Sequence, residues 1–550
     1  MVDHGVQTER FKYEQELTKN LSITSVIGLG FGLMSAPLSL GTTMRNSLVD
    51  GGPATIMGGY IIVYIFTVFC ALSLAEISSK YPIELHGGAA IIAKAKYSLI
   101  SSWFTGFFLL IGNWTMSISI TFAGSRFVLS VFGLVDDDYE INAFINVVVF
   151  YIVVTICGLV NLKFSRYLEL INKVCVYWII YAILLIDILL LLFAREYHDM
   201  KYIFTHFDNS RSGWTPSLAF IIGFQQANFM LQGFGLLPAI SEEVKNAEKS
   251  VPKGIVISVL LAGLSGFIFL IPILAVLPDI ELLVDKNQNI MPIILIFKLA
   301  TNSTLVSFFL VIMIIGNLLF SGISSIATSS RAVFSMSRDG ALPMGDLWTF
   351  VDADSVSKIP KYSVLLSMGV SYVLGLLSLI SSTAFNAFVG AAVISLCAAS
   401  LIPIVSSMLG GRRKVRGAAF KLKYVGFIVN SISALWLLFT IFVLSLPPQL
   451  PVSGKTMNYA SLVFGMFTLM ITLLWFLWGK ENFRGPLVDH DYNERVDAVH
   501  LQNLNESGVP AYSKLDEQNF QKLDFEPMAD DYDNENTDDN TIANNSNDKR

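Results

Sequence analysis

The chain is built from apolar runs of roughly 20 residues, the length a helix needs to cross the hydrocarbon of a bilayer. Every backbone N–H and C=O placed in hydrocarbon must find a partner inside the protein, so each run is expected to be helical. Twelve spans can be read: Leu21–Arg45, Ala54–Ala75, Ser102–Phe132, Ala143–Leu162, Tyr167–Ala194 and Pro216–Ile240, then Gly254–Leu277, Leu305–Val333, Tyr362–Ser381, Ala384–Met408, Val425–Leu446 and Asn458–Trp478. Only 15% of residues are charged, against about 25% in soluble proteins. The expected fold is an all-α integral membrane protein with twelve transmembrane helices.

Spans 1 and 6 are interrupted. The first reads GLGFGLMSAP from Gly28 to Pro37, and the sixth reads LQGFGLLP from Leu231 to Pro238. Glycine and proline weaken helices. At membrane depth such breaks persist where irregular backbone lines a cavity. A matched pair in the two halves of a chain points to a transporter's binding site. Free N–H donors at Met34, Ser35 and Ala36, at a helix N-terminus, suit a carboxylate. Carbonyls freed near Gly233 suit an ammonium group, and Phe229 or Phe234 offers a cation–π face. Gln225, Gln226, Asn228 and Gln232 form an unusual polar set on span 6; residues 225, 228, 229 and 232 share one helical face, expected to look into the cavity. Asn113, Ser117 and Asn317 are candidate walls from spans 3 and 8, with interhelical hydrogen bonding as the plainer role.

Lysines and arginines concentrate in alternate loops, densest from Arg412 to Lys423. This asymmetry places both termini in the cytoplasm. Residues 1–20 read as a cytoplasmic arm, 21–478 as the membrane domain and 485–550 as an acidic, Asn-rich, disordered tail. The first span is expected to act as an uncleaved signal anchor. Cys70, Cys157, Cys175 and Cys397 lie in the spans or at their ends and read as buried hydrophobes. A P-loop, an HExxH motif and a Cys/His cluster are missing from the sequence, and the six histidines are scattered. ATP as energy source, a membrane enzyme and a cofactor are therefore not expected.

Asp187 stands deep in span 5, within AILLIDILLLL. A carboxylate there costs about 2.5–3.5 kcal/mol on insertion scales, which marks it as a candidate cation-binding residue. Pairing with Arg126 or snorkelling to the interface are the competing readings.

Three loop stretches carry a family likeness. Glu242 to Pro252 (EEVKNAEKSVP) resembles a signature of amino acid–polyamine–organocation permeases, as do SLAEISSKYPIELHGGA (Ser73–Ala89) and SSRAVFSMSRDGALP (Ser329–Pro343). Within that superfamily, GLGFGLMS (Gly28–Ser35), LIGNWTMSISITFAG (Leu110–Gly124) and the tracts Leu170–Leu191 and Ser307–Val333 look closest to the fungal amino acid/choline transporters. The nearest likeness is to polyamine-carrying members. The resemblance implies a ten-helix 5+5 inverted-repeat core of the LeuT type plus two extra helices. Substrate would sit between spans 1 and 6, walled by spans 3, 8 and 10.

Candidate substrate-binding residues are thus Gly32, Met34, Ser35, Ala36, Asn113, Gln225, Phe229, Gln232, Gly233, Phe234 and Gly235. Gly235 departs from the pattern, since cationic-substrate members often carry an acid at that position. Lys173 is similar to the span-5 lysine that replaces a sodium ion in proton-coupled relatives. Glu76, Glu242 and Glu243 read as inner-gate or loop residues. The implied activity is proton-coupled secondary transport of polyamines or related small amines and amino acids, by alternating access. Amino acid, GABA or choline uptake is the alternative, and a membrane nutrient sensor is the reading from another class. Expected partners are a small organic cation or amino acid, a proton and the bilayer, with no nucleic acid. The plasma membrane or a Golgi/secretory-pathway membrane is the expected location.

Overall fold

A computed structural model describes residues 16–486 apart from 95–96, 137–138, 195, 287–289, 352–357, 381, 411, 416 and 455–456. Nearly all of the acidic tail, and most of the N-terminal arm, lie outside the described residues. Among the described residues, eleven helices are long and apolar enough to cross a membrane. The sixth span is the twelfth crossing. It falls short of that length because it is divided into Pro216–Ile222, Gln225–Leu231 and a 3-10 stretch, Gln232–Glu243. The first span is also divided, into Ile23–Leu33 and Ala36–Val49.

The other spans are single helices: Gly52–Lys80 (span 2), Ser98–Ser130 (3), Ala143–Lys163 (4), Leu168–Phe193 (5), Ala247–Ala275 (7), Thr304–Arg338 (8), Lys361–Ile380 (9), Ser382–Leu409 (10), Gly426–Leu444 (11) and Ala460–Leu474 (12). Several starts have a local cause. Asn142 caps span 4, accepting from the Phe144 and Ile145 N–H groups at 2.8 and 3.4 Å. Ser303 caps span 8 by accepting from Val306 N–H at 3.4 Å. Proline occupies the first turn of both the second half of span 1 and the first piece of span 6, where its missing N–H is harmless.

Helix packing repeats with a shift of five. Span 1 packs on spans 5 and 7 as span 6 packs on spans 10 and 2. Span 3 meets spans 4 and 10 as span 8 meets spans 9 and 5. The pairs 2 with 7, 3 with 8 and 4 with 9 map onto themselves. The two halves are therefore related by a two-fold exchange. Each holds an odd number of crossings, so the halves begin on opposite faces and the repeat is inverted. Spans 11 and 12 pack on spans 2 and 10, outside this core.

Burial follows the same plan. The most apolar stretch of span 1 is 83% buried and that of span 12 only 17%. Large apolar side chains such as Ile152, Tyr177, Ile188, Leu435, Leu469 and Leu473 are exposed on the peripheral spans. So much exposed apolar surface would be untenable in water, and it fits a hydrocarbon surround. All four cysteines are free and buried.

Candidate substrate site

The break in span 1 is two residues long. Met34 still donates to the Gly30 carbonyl at 3.1 Å, Ser35 turns to an extended conformation, and the helix restarts at Ala36 with Pro37 in its first turn. The N–H groups of that first turn have no acceptor within the helix. The Ser35 hydroxyl is buried and without a hydrogen-bond partner. Both edges of the break are held from outside. Ser321 of span 8 donates its hydroxyl to the Gly32 carbonyl at 2.6 Å. Gln226 of span 6 donates to the Leu40 carbonyl at 2.9 Å.

Glycine brings the first half of span 1 close to its neighbours. A Cβ on Gly28 would lie 2.0 Å from the Asn172 carbonyl oxygen, and one on Gly32 would lie 3.0 Å from Cys175 Sγ and 3.3 Å from Ser324 Oγ.

Span 6 corrects the sequence reading. The glycines predict unwound backbone around Gly233–Gly235; the chain instead runs from Gln232 to Glu243 as a 3-10 helix through Pro238. Proline blocks the i to i−4 ladder, and the tighter i to i−3 pattern satisfies carbonyls that would otherwise stand free. A second, milder irregularity lies nearer the start of the span, at Gly223–Phe224, where Ser47 of span 1 donates to the Gly223 carbonyl at 2.9 Å. Gly233 abuts the span 1 break, its virtual Cβ 3.0 Å from Met34 Cγ. A Cβ on Gly235 would meet only Ser400 Oγ of span 10, at 3.3 Å. Phe234 is fully buried, while Phe229 and Gln225 are half-buried.

The polar set on span 6 is divided in its tasks. Gln232 donates to Cys397 Sγ of span 10 at 2.8 Å. Asn228 is spent on the Phe224 carbonyl of its own turn at 3.0 Å, which ties that side chain to its own helix. Gln225 Oε1 lies 3.5 Å from Asn46 Nδ2. Gln226, which helical periodicity puts off that face, bonds span 1 one turn beyond the break, at the Leu40 carbonyl.

Spans 3 and 8 supply further unsatisfied groups. Asn113 Oδ1 accepts from the Thr328 hydroxyl at 3.0 Å, and its Nδ2 has no partner. Asn317 donates to the Met313 carbonyl at 3.0 Å, and its Oδ1 has none. Asn317 lies one turn from Ser321, level with the break. Asn113 is about 10 Å nearer the face that holds the chain's described N-terminal end, by the helical rise between Ser321 and Thr328. Ser117 is paired with Ser325 across spans 3 and 8 at 3.0 Å.

The two charged candidates of span 5 stand apart. Asp187 is buried, with Oδ1 unpartnered, but it lies twelve residues beyond Cys175, roughly 18 Å along the helix. Lys173 is 43% exposed and pairs with Glu169 at 2.8 Å. It is Asn172, not Lys173, that faces span 1, donating to Ser25 Oγ at 3.1 Å.

A narrow cleft of only about 10 Å³ lies between spans 1, 5, 6 and 8; Leu29, Asn172, Ile240, Glu243, Ser324 and Arg331 are among its lining residues. Ion pairs cross the N-terminal face beside it. Arg331 meets Glu243 at 2.5 and 3.3 Å, and Arg338 grips Glu242 at 2.9 and 2.6 Å. Arg412 grips Glu76 at 2.6 and 2.5 Å, and Glu76 also accepts from Leu422 N–H at 3.0 Å. The main chain of Leu21 bonds both Glu243 O and Lys245 N–H at 2.9 Å, joining the start of span 1 to the end of span 6. Nearby, buried His86 bonds Asp339 at 2.9 Å. Burial alone would lower the His86 pKa, but the Asp339 hydrogen bond and the Glu84 and Asp339 charges raise it. Burial lifts Glu84 to about 7. The acidic partners were legible in sequence; their pairing with arginines of distant segments was not, because no local pattern links Arg331 or Arg412 to them.

A model of the family described as amino acid permease matches residues 25–489. The chain belongs to this family. It is 54% identical over 490 residues to polyamine transporter TPO5 of Saccharomyces cerevisiae, covering 88% of this chain and 79% of that protein. It is 28% identical to amino-acid permease BAT1 of Arabidopsis thaliana, over 88% of this chain and 97% of the other. It is 26% identical to a choline transporter of Saccharomyces cerevisiae, over 88% of this chain and 85% of the other. As an amino acid permease family member with these helices, the chain is a multi-pass membrane transporter and not an enzyme. The likeness read from Glu242–Pro252, Ser73–Ala89 and Ser329–Pro343 agrees with that assignment.

Proposed function

We propose that this permease carries polyamines or closely related small amines by alternating access, coupled to protons. The observation that carries the reading is the span 1 break, where the unpartnered Ser35 hydroxyl and the first-turn N–H groups sit against spans 6 and 8. Buried polar groups ordinarily have partners, and a substrate is the partner this site lacks. Gly32, Met34, Ser35 and Ala36 would line one side; Gln225, Phe229, Gln232, Gly233, Phe234 and Gly235 the other, with Asn113 deeper. The relative named as a polyamine transporter favours an amine substrate. The face carrying the Arg–Glu pairs is assigned to the cytoplasm on the loop charge asymmetry, with both termini on that side. Glu76, Glu242 and Glu243 with their arginines form the inner gate, closed in this arrangement.

Flux into proteoliposomes tests the reading. Labelled putrescine or spermidine should accumulate under an imposed pH gradient and compete with one another; no flux of either would sink the polyamine assignment. A second reading, an amino acid as substrate, is favoured by one observation. Gly235 brings no acid, while the N–H groups at the break suit a carboxylate. Labelled amino acids and choline belong in the same assay.

Asp187 would serve as a cation-binding step on the outer part of the path. Asp187→Asn is expected to lower uptake of charged amines several-fold without changing the amount of folded protein. Unchanged uptake retires the role. Lys173→Ala should leave flux intact, since its partner Glu169 is on the same exposed flank; a loss of pH-driven flux would restore Lys173 as a coupling group.

A further inference from the structure

Asp50 occupies the turn between spans 1 and 2, on the face opposite the Arg–Glu pairs. Its side chain is fully buried, and neither carboxylate oxygen has a hydrogen-bond partner. Several elements meet at this turn. Asp50 N–H donates to Asn46 O of span 1 at 3.0 Å, and its carbonyl accepts from Thr55 Oγ1 of span 2 at 3.3 Å. Thr55 and Ser47 both touch Gly223, at the milder irregularity of span 6. The connection after span 5 crosses over the turn, with Asp208 N–H donating to Gly51 O at 3.3 Å and Ala54 N–H to His206 O at 3.1 Å. Gly51 and Gly52 have φ of 139° and 68°, so the turn is a sharp one that glycine permits.

None of the described charged or titratable groups around this joint bonds the carboxyl. On its own helix, Arg45 donates to Val284 O at 2.7 Å. On the crossing segment, Asp208 is paired with Arg211 at 2.8 Å, and the His206 ring stacks on Tyr202. Asp279 and Glu281 flank Ile280, which packs on Gly52. The pieces of span 6 and the adjoining end of span 2 bring no charge to the joint.

We infer that Asp50 is a proton-binding site of the outer gate, neutral while that gate is closed and ionised when opening admits water. An isolated carboxylate cannot remain charged in a dry site without a counter-charge. Burial pushes the Asp50 carboxyl up to about 8, whereas in water an aspartate titrates near about 3.9. The sign follows from linkage. The closed state binds the proton more tightly, so closure takes up a proton and is favoured as the outer pH falls. Between about pH 4 and pH 8 the closure constant should drop by up to about tenfold per pH unit, then level off. The inference deepens the alternating-access reading but needs no substrate, so its failure is distinguishable from a wrong substrate.

The test uses the full chain in proteoliposomes with one added cysteine, Thr43→Cys, on the outer half of span 1; the native cysteines are buried. Maleimide labelling from outside, corrected for the thiol's own ionisation with a free-thiol standard, should quicken as outer pH is raised from about 5 to about 8, several-fold or more per unit. With Asp50→Asn the corrected rate should stay low and independent of pH. A wild-type rate that ignores pH, or an Asp50→Asn variant that keeps the wild-type slope, overturns the inference. So does failure of both Asp50→Asn and Asp50→Ser to fold at about pH 6, because a neutral residue must be tolerated where the native group is neutral.

Discussion

Replacing Arg331 by alanine is expected to destabilise the face that carries the Arg–Glu pairs by about 3–5 kcal/mol, the usual consequence of stranding one member of a buried ion pair. Arg331 is only 2% exposed and Glu243 only 12%, so solvent does little to screen the stranded carboxylate. The pair joins span 8 to the end of span 6, beside the main-chain bonds between Leu21 and the Glu243–Lys245 segment. Losing it should therefore release two anchors together. The expected readout is a marked fall in the unfolding midpoint of purified protein and flux close to background. Exchanging the pair, Arg331→Glu with Glu243→Arg, should recover part of both. A single alanine variant with wild-type stability and flux would show that this contact does not hold spans 6 and 8 together.

Gly28→Ala is expected to be the most damaging single-methyl change in the transport core. The new Cβ would fall 2.0 Å from the Asn172 carbonyl oxygen and 2.7 Å from its carbon. Backbone cannot rotate aside, so spans 1 and 5 must separate. Overpacking of this kind costs about 1–3 kcal/mol, and separation also threatens the Asn172–Ser25 hydrogen bond of 3.1 Å. Flux should fall by about tenfold or more, the equivalent of about 1.4 kcal/mol. Gly235→Ala provides the comparison, because its Cβ meets only the Ser400 hydroxyl at 3.3 Å, and stability should be nearly unchanged. Equal losses in the two variants would mean that the loss of glycine's backbone freedom, and not the approach to span 5, sets the effect. Thermal unfolding in detergent reads both.

These expectations show where sequence reasoning reached and where it stopped. The break at Met34–Ser35 was legible because Pro37 and the preceding glycines act locally on the backbone. The interruption expected at Gly233–Gly235 is in place, since the α-helix ends at Leu231, but it takes another form. Pro238 does disturb the helix, but the chain answers by tightening into a 3-10 turn instead of opening, a choice governed by carbonyl satisfaction along the whole segment. Helical periodicity groups Gln225, Asn228, Phe229 and Gln232, yet span 1 is met by both Gln225, through Asn46, and Gln226, through the Leu40 carbonyl. Asp187 was singled out as a carboxylate within an apolar run, with a place near the interface as a competing reading; the packing of Cys175 on Gly32 puts it far along span 5 from the break.

By itself the sequence determined the twelve crossings, the pair of interrupted spans and the family, since hydrocarbon leaves each apolar run little choice but a helix and the loop signatures are local strings. Tertiary structure decided which polar atoms stay unpartnered, which arginines pair with Glu76, Glu242 and Glu243, and that Asp50 is sealed beneath the crossing segment after span 5. Those outcomes depend on distances between residues far apart along the chain, and no pattern in the sequence encodes them.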